Sequence, residues 1–280
     1  MRKDCLAGAF EMHVHTSPDV SPRKCSDIVL AERLRAAGFA GALIKCHFAE
    51  TAARAALLNE RFPGMSFFGG VALNNSVGGT NPRAVEACGK VGGKVAWFAT
   101  MNAHGYLSYH KRTKPETDLS GSIKITDDDG KLKPEAVEVI KTAKKYSMMV
   151  ATGHVSAEEG LAAVRECAAQ GVQAVLTHAD NPADCYTTEQ QVEAVSLGAV
   201  VEHSYFTAYY NRTPIEAIAE QVRAIGCANV ILSTDFGQPA SPYSDEGLFE
   251  FAEKMSALGF SDDELRAMFA DNPRRLLGLA

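Results

Sequence analysis

The sequence predicts a single-domain (β/α)8 barrel of the TIM type spanning residues 1–280, and three observations carry the prediction. Eight short apolar runs alternate with amphipathic stretches. Most of the runs are almost continuously apolar, as parallel strands covered on both faces require. The chain has 280 residues, 46% apolar and 22% charged, enough for one such barrel with a large core. The runs are Phe10–His15, Gly41–His47, Ser66–Leu73, Lys94–Met101, Ser147–His154, Gln173–His178, Ala199–His203 and Asn229–Asp235.

The segments between the runs carry helix punctuation. Gly38 closes the first helix, and Pro134 sits in the first turn of the fourth. Ser156-Ala-Glu-Glu159 is a capping box whose helix stops at Gly171, and Gly198 ends the sixth helix. Thr213-Pro214 opens a helix that Gly226 closes, and Pro273 begins a last one. An open doubly wound sheet is the competing architecture. It calls for a glycine-rich phosphate turn after the first strand, where this chain has His13-Val-His-Thr-Ser-Pro18.

One connection is long. Residues 102–133 follow the fourth run and carry His104, Tyr106, Tyr109, His110, Lys111, Arg112 and Lys114, with a hairpin predicted at Ile123–Leu132 turning on Asp129-Gly130. An excursion after a barrel strand lands on the face where such barrels bind ligands, so it is expected to be a lid or specificity loop, with His104 a substrate-binding candidate. Asp127-Asp128-Asp129 lacks the spacing of a calcium loop and is expected to be a solvated turn.

Composition excludes several classes. The net charge of -6, with 28 basic residues among 34 acids, gives no footprint for a nucleic acid. No apolar stretch approaches the roughly 20 residues of a membrane span, and Glu11 and His13 interrupt any signal-like start, so no membrane partner and a soluble chain are expected. Seven cysteines, widely spread and without a C-x-x-C pair, fit reduced thiols and a cytoplasmic location. Phe67-Phe68, Trp97-Phe98 and Met148-Met149 read as packing, and Arg33 and Arg35 as solvated helix faces.

The chemistry sits at the ends of the runs. His13 and His15 flank Val14, so alternation points both imidazoles to one face. His154 ends the fifth run, His178 the sixth and Asp235 the eighth. In a closed barrel the carboxyl ends of strands converge on one rim, where imidazoles and a carboxylate make a divalent-metal site. The alternative is a set of separately satisfied core polar groups. Lys45 and His47 share a face of the second run and are candidates to join the site. Glu202 and His203 fall on opposite faces of the seventh, so at most one points inward. Arg23, near Asp19 in the loop after the first strand, is a candidate for binding a substrate carboxylate or phosphate, with a plain surface ion pair as the alternative.

These residues resemble the amidohydrolase superfamily, metal-dependent hydrolases on TIM barrels, over nearly the whole chain. The pattern is H-x-H on strand one (His13-Val14-His15), a histidine on each of strands five and six (His154, His178) and an aspartate on strand eight (Asp235). Met12-His-Val-His-Thr-Ser-Pro-Asp-Val20 with Arg23, Leu43-Ile-Lys-Cys-His47 and Thr152-Gly-His-Val-Ser156 look, more closely, like a bacterial branch of metal-dependent hydrolases, which adds no substrate. Two-metal members carry a bridging lysine or glutamate at the end of strand four, whereas this run ends Ala99-Thr-Met-Asn102. Two arrangements follow: one ion on His13, His15, His154 and Asp235 with His178 left to polarise substrate, or two ions bridged from elsewhere.

The resemblance implies a divalent metal, zinc first, with manganese, iron or nickel acceptable to the same donors. It implies a metal-activated water that cleaves an amide, lactone or related C–N or C–O bond of a small polar or anionic substrate. Asp235 is expected to take up and deliver the proton, and His178 to stabilise the oxyanion. Three alternatives stay open: a phosphoesterase resembling the polymerase and histidinol phosphatase family, a metal-dependent decarboxylase, and a non-catalytic metal- or ligand-binding barrel. Barrels of this kind often pair, so a homo-oligomer is an expectation.

Overall fold

The computed structural model describes residues 3–184 and 186–279. Its eight strands are β1 (Phe10–Val14), β2 (Gly41–Ile44), β3 (Ser66–Ala72), β4 (Val95–Trp97), β5 (Met149–Ala151), β6 (Ala174–Leu176), β7 (Val200–Ser204) and β8 (Val230–Ser233). They form one parallel sheet in chain order, as the apolar runs predict. The strands stop short of the runs because the rim residues leave the ladder. His178 and Asp235 do so most sharply, both at positive φ, 29° and 54°.

The sheet closes on itself through a few specific bonds rather than a full ladder. The Asp235 amide donates to the His13 carbonyl and the His15 amide to the Phe236 carbonyl, each at 2.8 Å. The β1–β2 register shifts between Glu11 and Val14, a bulge that changes which face the strand presents. Phe10 and Met12 pack inside the barrel with Leu43, Val95, Trp97, Met149, Val175 and Ile231, yet His13 and His15 also point inward. The bulge leaves the His13 amide without a ladder partner, and the buried Glu11 carboxylate accepts it at 3.1 Å. The same carboxylate accepts the Thr234 amide at 3.1 Å and the Thr234 hydroxyl at 2.6 Å, so Glu11 pins β1 to the end of β8.

Twelve helices surround the sheet: α1 (Asp27–Ala36), α2 (Ala52–Arg61), α3 (Pro82–Lys90), α4 (His104–Lys111), α5 (Pro134–Lys145), α6 (Ala157–Gln170), α7 (Thr188–Ser196), α8 (Tyr205–Tyr209), α9 (Ile215–Ile225), α10 (Ser244–Ala257), α11 (Asp262–Arg266) and α12 (Asn272–Leu277). The expected caps are present: Ser156 and Glu159 make a capping box on α6, and Gly171 ends it in the left-handed conformation. Their buried faces meet the outer side of the sheet in a core including Leu30, Leu34, Phe67, Val139, Ile140, Leu232 and Phe251.

Three details depart from the sequence reading. The long connection after β4 opens with a helix, α4, instead of irregular loop, and the predicted hairpin is reduced to a single antiparallel bridge, Thr126 with Leu132, around a turn whose Asp127 carboxylate accepts two amides. The connection folds back on the barrel, the Ile125 amide donating to Glu159 at 2.8 Å. Arg33 is not a solvated side chain: it pairs with Asp245 at 2.7 Å and Glu246 at 2.7 Å, and stacks 3.8 Å from the Tyr243 ring centre. Of the seven cysteines, six are free thiols, and Cys185 lies outside the described residues.

No described helix is long and apolar enough to cross a membrane.

Candidate metal centre

The strand ends bring the predicted donors together at one mouth of the barrel. Donor atoms of His13, His15 and Asp235 all lie within 4.8 Å of one another. The Asp235 Oδ1 stands 3.1 Å from Nε2 of each histidine. Beside this cluster the other imidazoles form a continuous ring wall. His15 stacks on His47 at 4.6 Å, His47 meets His154 at 5.7 Å, His154 meets His178 at 4.8 Å, and His178 stacks on His13 at 5.8 Å. Five of the predicted residues and His47 therefore share one site.

Two close backbone approaches make room for these ligands. Gly153, at φ 64°, precedes His154; a Cβ there would lie 2.3 Å from the Phe98 carbonyl oxygen. Gly237, at φ 143°, lies against His15, where a Cβ would sit 2.1 Å from its carbonyl oxygen. The positive φ of His178 and Asp235 stores backbone strain at two site residues, which the surrounding packing must hold.

The outer partners orient the rings. Glu202 accepts from His13 Nδ1 at 2.6 Å and from the Ser233 hydroxyl at 2.7 Å, which leaves His13 Nε2 facing the site. Asp184 pairs with His178 Nδ1 at 2.5 Å, and Thr100 with His47 Nδ1 at 2.9 Å. A carboxylate on the far nitrogen of a ligating imidazole is the usual support of a metal site. Alternation offered Glu202 or His203 but not which; Glu202 takes the inward place, while His203 turns to Asp180 at 3.1 Å.

The protonation states suit cation binding. Burial pushes His15 down to about 4 and holds His47 and His154 well below the ordinary imidazole range, so these rings offer lone pairs at neutral pH. Burial opposes the charge on Asp235, but His13 and His15 outweigh it and keep the carboxyl well below the usual carboxylate range. Nitrogen atoms His13 Nε2, His15 Nδ1, His154 Nδ1 and His178 Nε2 are buried with no hydrogen-bond partner. Orphaned nitrogens on the neutral rings of His15 and His154, beside an ionised aspartate, fit a divalent metal ion.

Lys45 reaches the site floor, fully buried, its Nζ without a hydrogen-bond partner and 5.5 Å from the Trp97 ring centre. Burial lowers its pKa, against the pull of Asp235 and Glu202. The end of β4 supplies no bridging acid: Thr100 there is occupied with His47 and Asn74.

His178 differs from the other rings. Burial works against its charge, but Asp184 outweighs burial and raises it to about 9, while burial lifts Asp184 itself to about 6. A raised histidine stabilises the fold fully below its unfolded value near 6.5 and ceases to do so as pH rises through about 9. In chelator-treated protein, urea unfolding should therefore show stability falling between pH 6.5 and 9, by at most about 3 kcal/mol. The Asp184→Asn variant should lack that slope; equal slopes in both proteins would dissociate the pair from the effect.

Above the ligands opens a cavity of about 260 Å³ lined by His15, His47, His154, His178 and Asp235 together with Arg23, Tyr106 and Arg212. A larger hollow of about 450 Å³ between α8, α9 and α10 contains no imidazole, so size does not pick the site. Arg23 lines the cavity and also pairs with Asp19 through Nε at 2.8 Å. His104 is a correction. It begins α4, pairs through Nδ1 with Ser122 at 2.9 Å and is not among the lining residues; Tyr106 is the side chain of that helix that reaches the cavity. Asp184, Tyr106 and Arg212 are the site residues that sequence reasoning missed, and Glu202 is one it left undecided against His203.

Residues 8–202 match the model of DUF6282, described as a family of unknown function. No curated protein matches the sequence. Among solved structures, the chain is similar to an amidohydrolase from Pseudomonas aeruginosa at 12% identity and a TM-score of 0.68, covering 98% of this chain and 97% of that one. It is similar to a TatD homologue from Escherichia coli K12 at 15% identity and 0.59, covering 98% and 100%. A 2,6-dihydroxybenzoate decarboxylase from Rhizobium matches at 12% identity and 0.58, covering 97% and 98%. At these identities the likeness is one of fold, the barrel shared by amidohydrolase-superfamily enzymes.

Proposed function

We propose that this chain, which belongs to the DUF6282 family, is a metal-dependent hydrolase that cleaves an amide, lactone or related C–N or C–O bond of a small polar or anionic substrate. The observation that supports this best is the His13–His15–Asp235 cluster, whose donor atoms lie within 4.8 Å of one another and whose His13 Nε2 and His15 Nδ1 are buried without a hydrogen-bond partner. His13, His15, His154 and Asp235 would hold the ion, with zinc the metal proposed. When bound, a divalent ion supplies a water acidic enough to ionise near neutral pH and a positive charge at the reacting centre.

The rest is done by the chain. Asp235, ionised and the only member of the cluster with appreciable side-chain exposure, takes the proton of the attacking water on its carboxylate and returns it to the leaving group. His178, held as imidazolium by Asp184, offers the N–H at Nε2 to the oxygen on which negative charge develops. Glu202 keeps His13 in the tautomer that presents Nε2. Packing below the site shuts out bulk water from one side.

The test is elemental analysis of protein purified without added metal. About one ion or more per chain is expected in the wild type and less than a tenth of that in a His13→Ala, His15→Ala double variant that keeps its circular dichroism. A metal-free wild type that also takes up no zinc on dialysis would overturn the reading. A phosphoesterase is the second reading, favoured by His47, whose ring lies in the cavity against both His15 and His154. Release of phosphate from p-nitrophenyl phosphate, with no turnover of esters or lactones, would select it.

A further inference from the structure

We propose that the substrate is a small dianion, a compound with two carboxylates, read by two arginines on the cavity wall: Arg23 near the ligands and Arg212 at the mouth. The inference rests on the hydrolase reading for what happens to the substrate, but not for its binding.

The charge of the cavity wall carries the argument. Arg23 and Arg212 both line it, and Asp235, already committed to the imidazoles, is the sole acid among the lining residues described. Asp19 offsets part of the charge of Arg23, but Arg212 has no carboxylate partner among the described residues, so an anion complements the wall where a neutral substrate does not.

The two arginines are held in different ways, each leaving donors free. Arg23 is buried, its side chain 7% exposed, and its Nε is tied to a fully buried Asp19. That bond fixes the guanidinium plane and leaves the two terminal nitrogens, the edge that grips a carboxylate through two parallel bonds. Arg23 shares the cavity wall with His15, His47 and Asp235. Arg212 stands on the loop between α8 and α9, exposed, with its guanidinium carbon 4.7 Å from the Phe206 ring centre. It makes no ion pair with any described residue, so the aromatic face steadies a cation that lacks its anion.

Phe48, Met101, Tyr106 and Phe206 give the same wall apolar surface, alongside the polar Ser21, Asn181 and Gln238. A volume near 260 Å³ lies just under the range of cavities that hold drug-sized ligands, which limits the occupant to a short or single-ring spacer. The proposed ligand thus has one carboxylate on Arg23, a compact apolar body, and a second carboxylate on Arg212.

Calorimetric titration of the metal-replete protein with two matched pairs tests this: benzene-1,3-dicarboxylate against benzoate, and glutarate against butyrate. At least one diacid should bind about tenfold or more tightly than its monoacid. Arg212→Gln should erase that margin and leave monoacid affinity within twofold. Arg23→Gln should weaken mono- and diacids alike by about tenfold. Lys114→Gln, a charge removed outside the cavity, should change neither. No margin in either pair, or a margin that survives Arg212→Gln, overturns the proposal. The titrations are repeated on chelator-treated protein with metal content measured on the same sample. A margin present in a wild type that never binds metal would uphold the two-arginine site while the hydrolase reading fails.

Discussion

Asp235→Asn is expected to leave the barrel folded and to stop its chemistry, lowering turnover on the order of 10³-fold. Asparagine has nearly the shape of aspartate and adopts positive φ readily, so the backbone at 54° is not strained further by the exchange. What disappears is the negative charge that lies 3.1 Å from both His13 and His15. The side chain then presents an amide that can neither bind a cation as strongly nor carry a proton. Metal affinity should fall about 100-fold or more, since even the outer partners of metal ligands are worth 10- to 100-fold. The readings are a melting curve, metal content after dialysis against a graded chelator, and turnover of whichever ester, lactone or amide the wild type cleaves. Full metal content together with wild-type turnover would remove Asp235 from the mechanism.

Glu11→Met should be among the most destabilising single changes in the protein. Oε1 of Glu11 accepts the amides of both His13 and Thr234, and Oε2 pairs with the Thr234 hydroxyl, all in a dry interior. Methionine has a similar length but no such acceptor, so both buried amide donors lose their partner, whereas glutamine could keep its Oε1 on both amides and turn its NH2 to the hydroxyl. Each such group costs roughly 1–3 kcal/mol, so a loss of about 3 kcal/mol is expected. For a chain of this size that lowers the melting midpoint by roughly 6 °C. Burial raises the Glu11 carboxyl to about 8, against the opposing bonds from Thr234. Because the closing bonds run directly into His13 and Asp235, Glu11→Met should also loosen metal binding. An unchanged midpoint in thermal unfolding would show that the seam holds without this carboxylate.

The barrel and most of the residues gathered at its mouth were legible in the sequence for one reason: a barrel puts chemistry at the ends of its apolar runs. His154, His178 and Asp235 could be picked out by position alone, and His13 and His15 by their spacing. What stayed hidden depends on contacts between distant segments. Alternation from Phe10 and Met12 would send Val14, not His13, into the barrel, and the bulge that reverses this is held by Glu11 reaching Thr234. Alternation at Glu202 and His203 left two choices, decided by a histidine on β1 that needs an acceptor. Asp184 sits in a polar stretch after β6 with no periodicity to mark it. Arg212 looks like any loop cation until Phe206 and the metal cluster are placed around it. His104 was a candidate because it lies in the long connection after the fourth run. Where that connection is a helix, residues two apart face different ways, and the tyrosine faces the cavity.

Below the ligands, Met12, Leu43, Val95, Trp97, Met149, Val175 and Ile231 fill the strand cylinder, leaving a gap of only about 10 Å³. The cavity is therefore a cul-de-sac. Under the proposed hydrolysis, products must exit past α4 and α8 against incoming substrate, so each product that keeps a carboxylate should act as a competitive inhibitor, and bulk on the substrate will be tolerated only where it protrudes through the entrance.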